Sequence, residues 1–249
     1  METNNFSTTK LPKLHFISFG SIPHCDRSRK RLKEQAENYG LFSTINVYSQ
    51  HDLDPEFYAK YKDWMEGHSK GYGFYVWKPQ ILSQAISQIP DGDVWVYLDS
   101  GCHLNTEGMK RFLEYVQLAV THGFVAMRLQ DFHTEYKWTK GDVLVQFPKV
   151  DPNSAQIESG IIFCHKTPAT TQLIQDWLSY LHKDIHNFSG YPPRLRHPLF
   201  REHRHDQSIF SLLLKSRGMT GGVVADETFF ELEYDQWPKE YPIQARRDK

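Results

Sequence analysis

Aliphatic side chains, cysteines and surplus charge are all scarce in this chain of 249 residues. Hydrophobic residues make up 39% with the 13 Tyr counted. Leaving Tyr out and counting the 15 Gly instead gives roughly 40%, below the ~45–50% of an average domain. No apolar run approaches the ~20 residues that a membrane-spanning helix needs. The opening METNNFSTTKLPK carries no apolar stretch of the kind that marks a secretory signal. The 3 Cys (Cys25, Cys102 and Cys164) are odd in number, far apart and in no CxxC pair. They read as reduced thiols of a cytosolic protein, not as a disulfide frame or zinc knuckle. With 29 basic against 30 acidic residues the formal net charge is −1. The basic excess of a nucleic-acid-coating protein is missing, so no nucleic acid is expected as a partner.

Rings are plentiful instead: 14% aromatic residues, together with 13 His. Such a composition excludes disorder, which is poor in aromatics, and fits neither collagen nor a coiled coil. The length suits one α/β domain and suffices for a core without disulfide or metal staples.

Residues 14–20 (LHFISFG) form a short apolar run closed by Gly, a first strand. Residues 27–39 are rich in helix formers and stop at Gly40, a favoured residue just past a helix end. A second strand is expected over 45–49. This βαβ opening favours a parallel sheet wrapped by helices. Helices are expected at 55–66, 78–89, 106–121, 169–183 and 207–214. Strands are expected at 93–99, 124–129 and 160–165. No repeat and no linker divides the chain. The expected organisation is a tail over 1–13, one domain over 14–238 and a polar tail over 239–249.

Ligands of open α/β sheets bind at the carboxyl ends of strands. Four clusters qualify. The buried-strand pattern Asp93-Val94-Trp95-Val96-Tyr97-Leu98-Asp99 delivers a carboxylate into the small residues Ser100 and Gly101, where a metal or diphosphate can approach. As a single motif it equally suits an Asp that caps a turn. Arg194, Arg196, Arg201 and Arg204 concentrate positive charge before a helix, a match for phosphate oxygens, or else a solvated basic loop with Asp206 as its helix cap. Gly71 to Pro79 (GYGFYVWKP) places rings beside Lys78 at a helix start. There they could stack on a base or sugar, or simply pack a loop. Gln156-Ile157-Glu158-Ser159-Gly160 brings a carboxylate to the edge of a strand. A zinc site from His203, His205 and Asp206 is less attractive, since side chains at that spacing converge poorly on one ion.

The order of four segments, W-K-P-Q-I-L (77–82), G-D-V-W-V-Y-L-D-S-G (92–101), E-S-G-I-I-F (158–163) and H-R-H-D-Q-S-I-F (203–210), resembles glycosyltransferases of the GT-A fold, which use nucleotide-diphosphate sugars. The resemblance covers roughly residues 14–230 and is nearest to small bacterial transferases of surface polysaccharides. The Asp-Gln step is similar to the glycogenin and lipopolysaccharide galactosyltransferase group. It implies a single Rossmann-like α/β domain with a mostly parallel central sheet. The reaction implied is transfer of a sugar from a nucleotide-sugar donor to a glycan or lipid-linked saccharide acceptor.

Several residues take roles by that resemblance. Asp99 matches the first acid of the D-x-D motif that shares Mn2+ or Mg2+ with the diphosphate, with His103 as a candidate second ligand. Here the second acid is Gly101, which leaves metal dependence open. Lys78, Trp77, Ser100, Gly101, Gly160, Arg204 and His205 are the candidate donor- and diphosphate-binding residues. Asp206 and Gln207 match the pair beside the sugar's reacting carbon, and Glu158 is the other candidate catalytic carboxylate. Inverting and retaining outcomes both remain open. The implied location is the cytoplasm, or the periphery of the membrane's inner face, with no integral membrane segment. The competing readings are a non-catalytic carbohydrate- or nucleotide-binding protein and a His/Asp metal-dependent phosphoesterase.

Overall fold

A computed structural model describes residues 12–228 and 236–247; positions 1–11 of the expected N-terminal tail lie outside the described residues. Strand β1 (Leu14–Phe19) is buried along its whole length. Helix α1 (Asp26–Tyr39) ends where Gly40 adopts a left-handed φ of 68°, a conformation that costs a residue without Cβ little. Strand β2 (Phe42–Tyr48) begins three residues before the expected start at 45. Parallel pairing with β1 carries it through Ser43 and Thr44, and the Thr44 hydroxyl bonds the His15 ring at 2.9 Å. Helix α2 (Pro55–Gly67) starts at an Asp54 carboxylate that accepts from the Phe57 N–H at 2.9 Å, satisfying one orphan donor of its first turn.

A short turn of helix, α3 (Gly71–Phe74), leads to α4 (Trp77–Ser87). Then follow β3 (Val94–Asp99), β4 (His103–Leu104), α5 (Met109–His122) and β5 (Phe124–Arg128). Two single turns, α6 (Glu135–Trp138) and α7 (Gly141–Leu144), precede β6 (Ile157–His165). The described chain closes with α8 (Pro168–Lys183), α9 (His205–Ser216), β7 (Val224–Ala225) and β8 (Ile243–Gln244).

The main sheet runs β2-β1-β3-β6-β5-β7. Only β6 opposes the common direction, since both its pairings are antiparallel while β1–β2, β1–β3 and β5–β7 are parallel. The sheet is therefore mostly parallel and flanked by helices, as the sequence predicts. Alternate strand residues feed two cores. Ile17, Phe19, Trp95, Tyr97 and Ile162 face α2, α4, α8 and α9. Leu14, Phe16, Val94, Val96, Leu98 and Phe163 face α1 and α5. Rings such as Trp95, Trp177 and Phe210 fill much of the first core. Each contributes on the order of 1.5–3 kcal/mol or more by leaving water, which is how a chain thin in aliphatics builds an interior.

From β1 the chain passes to β2 on one side and then to β3 on the other. The crevice at the carboxyl ends of β1 and β3 is thus a topological switch point, where such sheets bind ligands. The segment expected as a polar tail packs beside it. Strand β8 pairs antiparallel with β4, Ile243 and Gln244 are buried, and Asn105 donates to the carbonyls of Lys239 (2.8 Å) and Tyr241 (3.0 Å).

Candidate active site

Four elements converge on the crevice: the end of β3, the start of β6 and the first turns of α4 and α9. The Lys78 ammonium stands at their meeting point, 2.7 Å from Asp206 Oδ2 and 3.1 Å from Asp99 Oδ1. It also reaches the Ser159 carbonyl at 3.3 Å and the Ser159 hydroxyl at 3.4 Å. Only 1% of Lys78 is exposed. Burial pulls its pKa down, but the charges of Asp206 and Asp99 and their hydrogen bonds outweigh burial and hold it above the usual lysine range. The result is a fixed internal cation clamped between two carboxylates.

The carboxylates differ in access. Asp206 is buried, and its Oδ2 also accepts from the Ser159 hydroxyl at 2.7 Å. The Asp99 side chain is 39% exposed, and its Oδ1 takes the Tyr97 hydroxyl at 2.7 Å. Its other oxygen, Oδ2, sits so near Gly160 that an added Cβ there would lie 2.9 Å away. Glycine at 160 therefore leaves room for the carboxylate. Glu158 faces the same region from β6, and its carboxyl pKa is pushed up to about 8. Burial is the main cause, Asp226 and Asp99 add to it, and Arg247 and Arg204 oppose it. At neutral pH Glu158 is chiefly protonated.

The remaining expected residues are spread around this centre. Trp77 is buried and stacks on Phe19 at 3.8 Å, with its indole N–H donated to the Gly71 carbonyl; its ring face is taken up by the core. Ser100 is buried, and its carbonyl accepts from Arg31. Gly101 permits the C-terminal segment to cross, since a Cβ there would come within 2.7 Å of the Arg247 Cα. Arg204 lays its guanidinium over the Trp138 ring at 4.2 Å. His205, at a left-handed φ of 52°, stacks on Phe74 at 4.9 Å, and its Nδ1 bonds the Phe188 carbonyl. Gln207, half-buried beside Asp206, donates its amide to Gln156 Oε1 at 2.8 Å.

A divalent cation does not fit the described residues as they are placed. Lys78 occupies the point where Asp99 and Asp206 converge, and Tyr97 takes a further site on Asp99. His103 lies in the separate two-stranded sheet, bonded to Gln35 at 3.3 Å. Among the described residues, no three His, Cys, Asp or Glu side chains gather to hold an ion. The suggested set of His203, His205 and Asp206 is likewise divided. The His203 ring lies between the Lys140 N–H and the Asn187 carbonyl, and Asp206 is held by Lys78.

Sequence reasoning gave Tyr97, Ser159 and Tyr75 no role of their own within the segments it singled out, and it missed Arg247. Tyr97 had a readable signal, since it stands two residues before Asp99 on the same strand face. Tyr75, whose ring lies 5.3 Å from the Lys78 ammonium, depends on left-handed backbone at Gly71, Tyr72, Gly73 and Phe74. Nothing local announces that Arg247 returns to the site.

This combination of sheet order and switch point, with carboxylates at the end of β3 and the start of α9, gives a mixed α/β fold of the GT-A type. Solved structures bear out the fold. A glycosyltransferase involved in the glycosylation of the major capsid of PBCV-1 is similar over 94% of this chain and 92% of its own, with TM-score 0.52 and 15% identity. The apo structure of the bifunctional glycosyltransferase WbbM is similar over 97% of this chain, with TM-score 0.50 and 11% identity; the chain spans 47% of its length. No protein-family model and no curated protein matches the sequence.

Proposed function

We propose that the protein is a glycosyltransferase that binds a nucleotide-diphosphate sugar in this crevice. The observation that carries the reading is the clamp of Lys78 between Asp99 and Asp206 at the switch point of a GT-A fold. In the reaction the bond between the sugar's C1 and the diphosphate oxygen breaks, and its electron pair leaves on the phosphate. The acceptor hydroxyl oxygen bonds to C1 and gives up its proton. The leaving diphosphate gains charge as this happens, and cations placed beforehand lower the barrier. Arg204 and Arg247, whose charges both reach Glu158, are the groups assigned to it. Lys78, with almost no accessible surface, is assigned to holding the two carboxylates in place. Asp206 and Gln207 are assigned to the sugar, and Glu158 in its ionised form takes the acceptor's proton.

The acceptor is proposed to be saccharide, carried by a lipid at a membrane surface. Five of the seven large hydrophobic residues exposed among the described positions (Phe132, Val145, Tyr191, Leu195 and Leu199) belong to two segments, 132–145 and 191–201. Those segments are laced together: the Asp142 carboxylate accepts from the N–H groups of Arg194 (2.8 Å) and Leu195 (3.0 Å). Arg194, Arg196 and Arg201 are exposed among them, and basic side chains beside apolar ones favour an anionic lipid surface. Among the described residues no helix is long and apolar enough to cross a membrane.

Calorimetry with a panel of nucleotide-sugars and free nucleotides tests the first part. Binding followed by transfer or slow donor hydrolysis is expected, and Arg204→Ala should weaken nucleoside diphosphate far more than nucleoside. Silence across the whole panel would overturn the transferase reading. Binding without turnover would favour a carbohydrate- or nucleotide-binding protein. Sedimentation with vesicles tests the second part: anionic vesicles should retain the protein and zwitterionic ones should not.

A further inference from the structure

We propose that Glu135 and Gln156 form a polarity relay that fixes the Gln207 side-chain amide with its carbonyl oxygen turned into the cleft, where it selects a hydroxyl of the donor sugar. The proposal rests on the transferase reading for the identity of the ligand, but the relay itself does not.

The argument is one of donors and acceptors. Glu135 is fully buried at the start of α6. Its Oε1 accepts from the Lys215 ammonium at 2.6 Å and from the Ser211 hydroxyl, and its Oε2 accepts from the Thr139 hydroxyl at 2.8 Å. A carboxylate beside an ammonium offers acceptors only. Gln156, also fully buried, approaches the same Oε2 at 3.1 Å and the Trp138 carbonyl at 3.2 Å. Its side-chain nitrogen also lies 2.9 Å from the Thr139 hydroxyl and 3.2 Å from the Ser208 hydroxyl, but those hydroxyls give their protons to Glu135 Oε2 and to the Trp138 carbonyl. All four neighbours are therefore acceptors toward Gln156, which must present its NH2 group to them. Turned over, its carbonyl would face the Glu135 and Trp138 oxygens and draw the two hydroxyls away from them, an arrangement low-dielectric surroundings penalise.

With its NH2 so committed, Gln156 has only Oε1 left for Gln207. Gln207 therefore donates its own NH2, and the 2.8 Å contact is between those two atoms. Polarity set by one buried carboxylate thus passes through two amides. Gln207 Oε1 is the end of the relay, and it makes no hydrogen bond to any described side chain or backbone group. Gln207 is a half-buried residue in the first turn of α9, directly after Asp206. An oxygen that can only accept, fixed in a cleft, recognises O–H donors and disfavours a ligand that presents another acceptor there. Glu135 and Gln156 touch no ligand; they are positioning residues for Gln207.

Two measurements test this. In the wild-type protein, 15N NMR of side-chain amides should show the Gln207 NH2 protected from solvent exchange and coupled through its hydrogen bond to the Gln156 carbonyl. Free exchange of that NH2 would overturn the relay, and no variant is needed to see it. The second measurement uses Glu135→Gln, which keeps an acceptor for Lys215 and puts an NH2 where Oε2 stood. Gln156 and Gln207 are then free to turn over. The expected result is a nucleotide-sugar affinity weakened by about tenfold or more, the loss of one well-placed hydrogen bond with its acceptor replaced by a donor, while free nucleoside diphosphate binds as before. Equal weakening of both ligands would show that Gln207 does not read the sugar. Should no nucleotide-sugar bind the wild type while the amide stays protected, the transferase reading and the sugar assignment fail and the relay stands.

Discussion

Replacing Lys78 by Met exposes what the clamp does. Methionine matches the length of the lysine stem and keeps its contacts, so the main loss is one positive charge. That charge is bonded to Asp206 at 2.7 Å and to Asp99 at 3.1 Å. Asp206, with 3% of its surface accessible, would keep only the Ser159 hydroxyl as a partner. Removing one member of a buried ion pair leaves an uncompensated charge and costs about 3–5 kcal/mol. For a domain of this size that is a fall in Tm on the order of 10 °C. Urea unfolding of Lys78→Met, Asp206→Asn and the double variant forms a cycle that isolates the pair. The double variant should lose much less than the sum of the singles, because each single leaves a charge behind that the double does not. A deficit that is additive in the cycle would refute the clamp.

Glu158→Gln gives a pH test. The wild-type carboxyl rises from 4.5 to about 8 on folding, so folding binds a proton across that window. Wild-type stability should fall relative to the variant from about pH 4.5 to about pH 8, by at most about 5 kcal/mol; parallel unfolding curves would count against it. If the ionised form is the base, activity should climb through pH 8, and in the variant that limb should vanish. Gly160→Ala forces a Cβ to within 2.9 Å of Asp99 Oδ2; a cost of about 1–3 kcal/mol in urea unfolding and weaker donor binding in calorimetry are expected. Nucleotide-diphosphate affinity should be unchanged by a chelator, because Lys78 already occupies the convergence of Asp99 and Asp206; a chelator-sensitive affinity would show a metal taking part.

Periodicity and punctuation made most elements legible. The all-apolar β3 run, Gly40 past α1 and the amphipathic α8 all appear where the sequence places them. Departures have tertiary causes. Strand β2 extends because β1 offers it partners, and β8 forms because β4 does. In the site, Asp99 and Asp206 could be named from their settings, at the end of a buried strand and the start of a helix. Trp77 and Lys78 could be named too, but their environment could not. One faces the core on Phe19 and the other faces two carboxylates.

The sequence by itself determined the class of architecture, the scarcity of aliphatic core and the set of polar groups near strand ends. These follow from local periodicity, backbone preference and composition, which each short segment carries within itself. Only the tertiary structure decided that Lys78 is an internal counter-ion, that Arg247 returns beside Gly101, and that Glu135 orients Gln207 through Gln156. Charge neutralisation, exclusion of water and hydrogen-bond polarity are properties of groups brought together from distant parts of the chain. No spacing along the sequence encodes them.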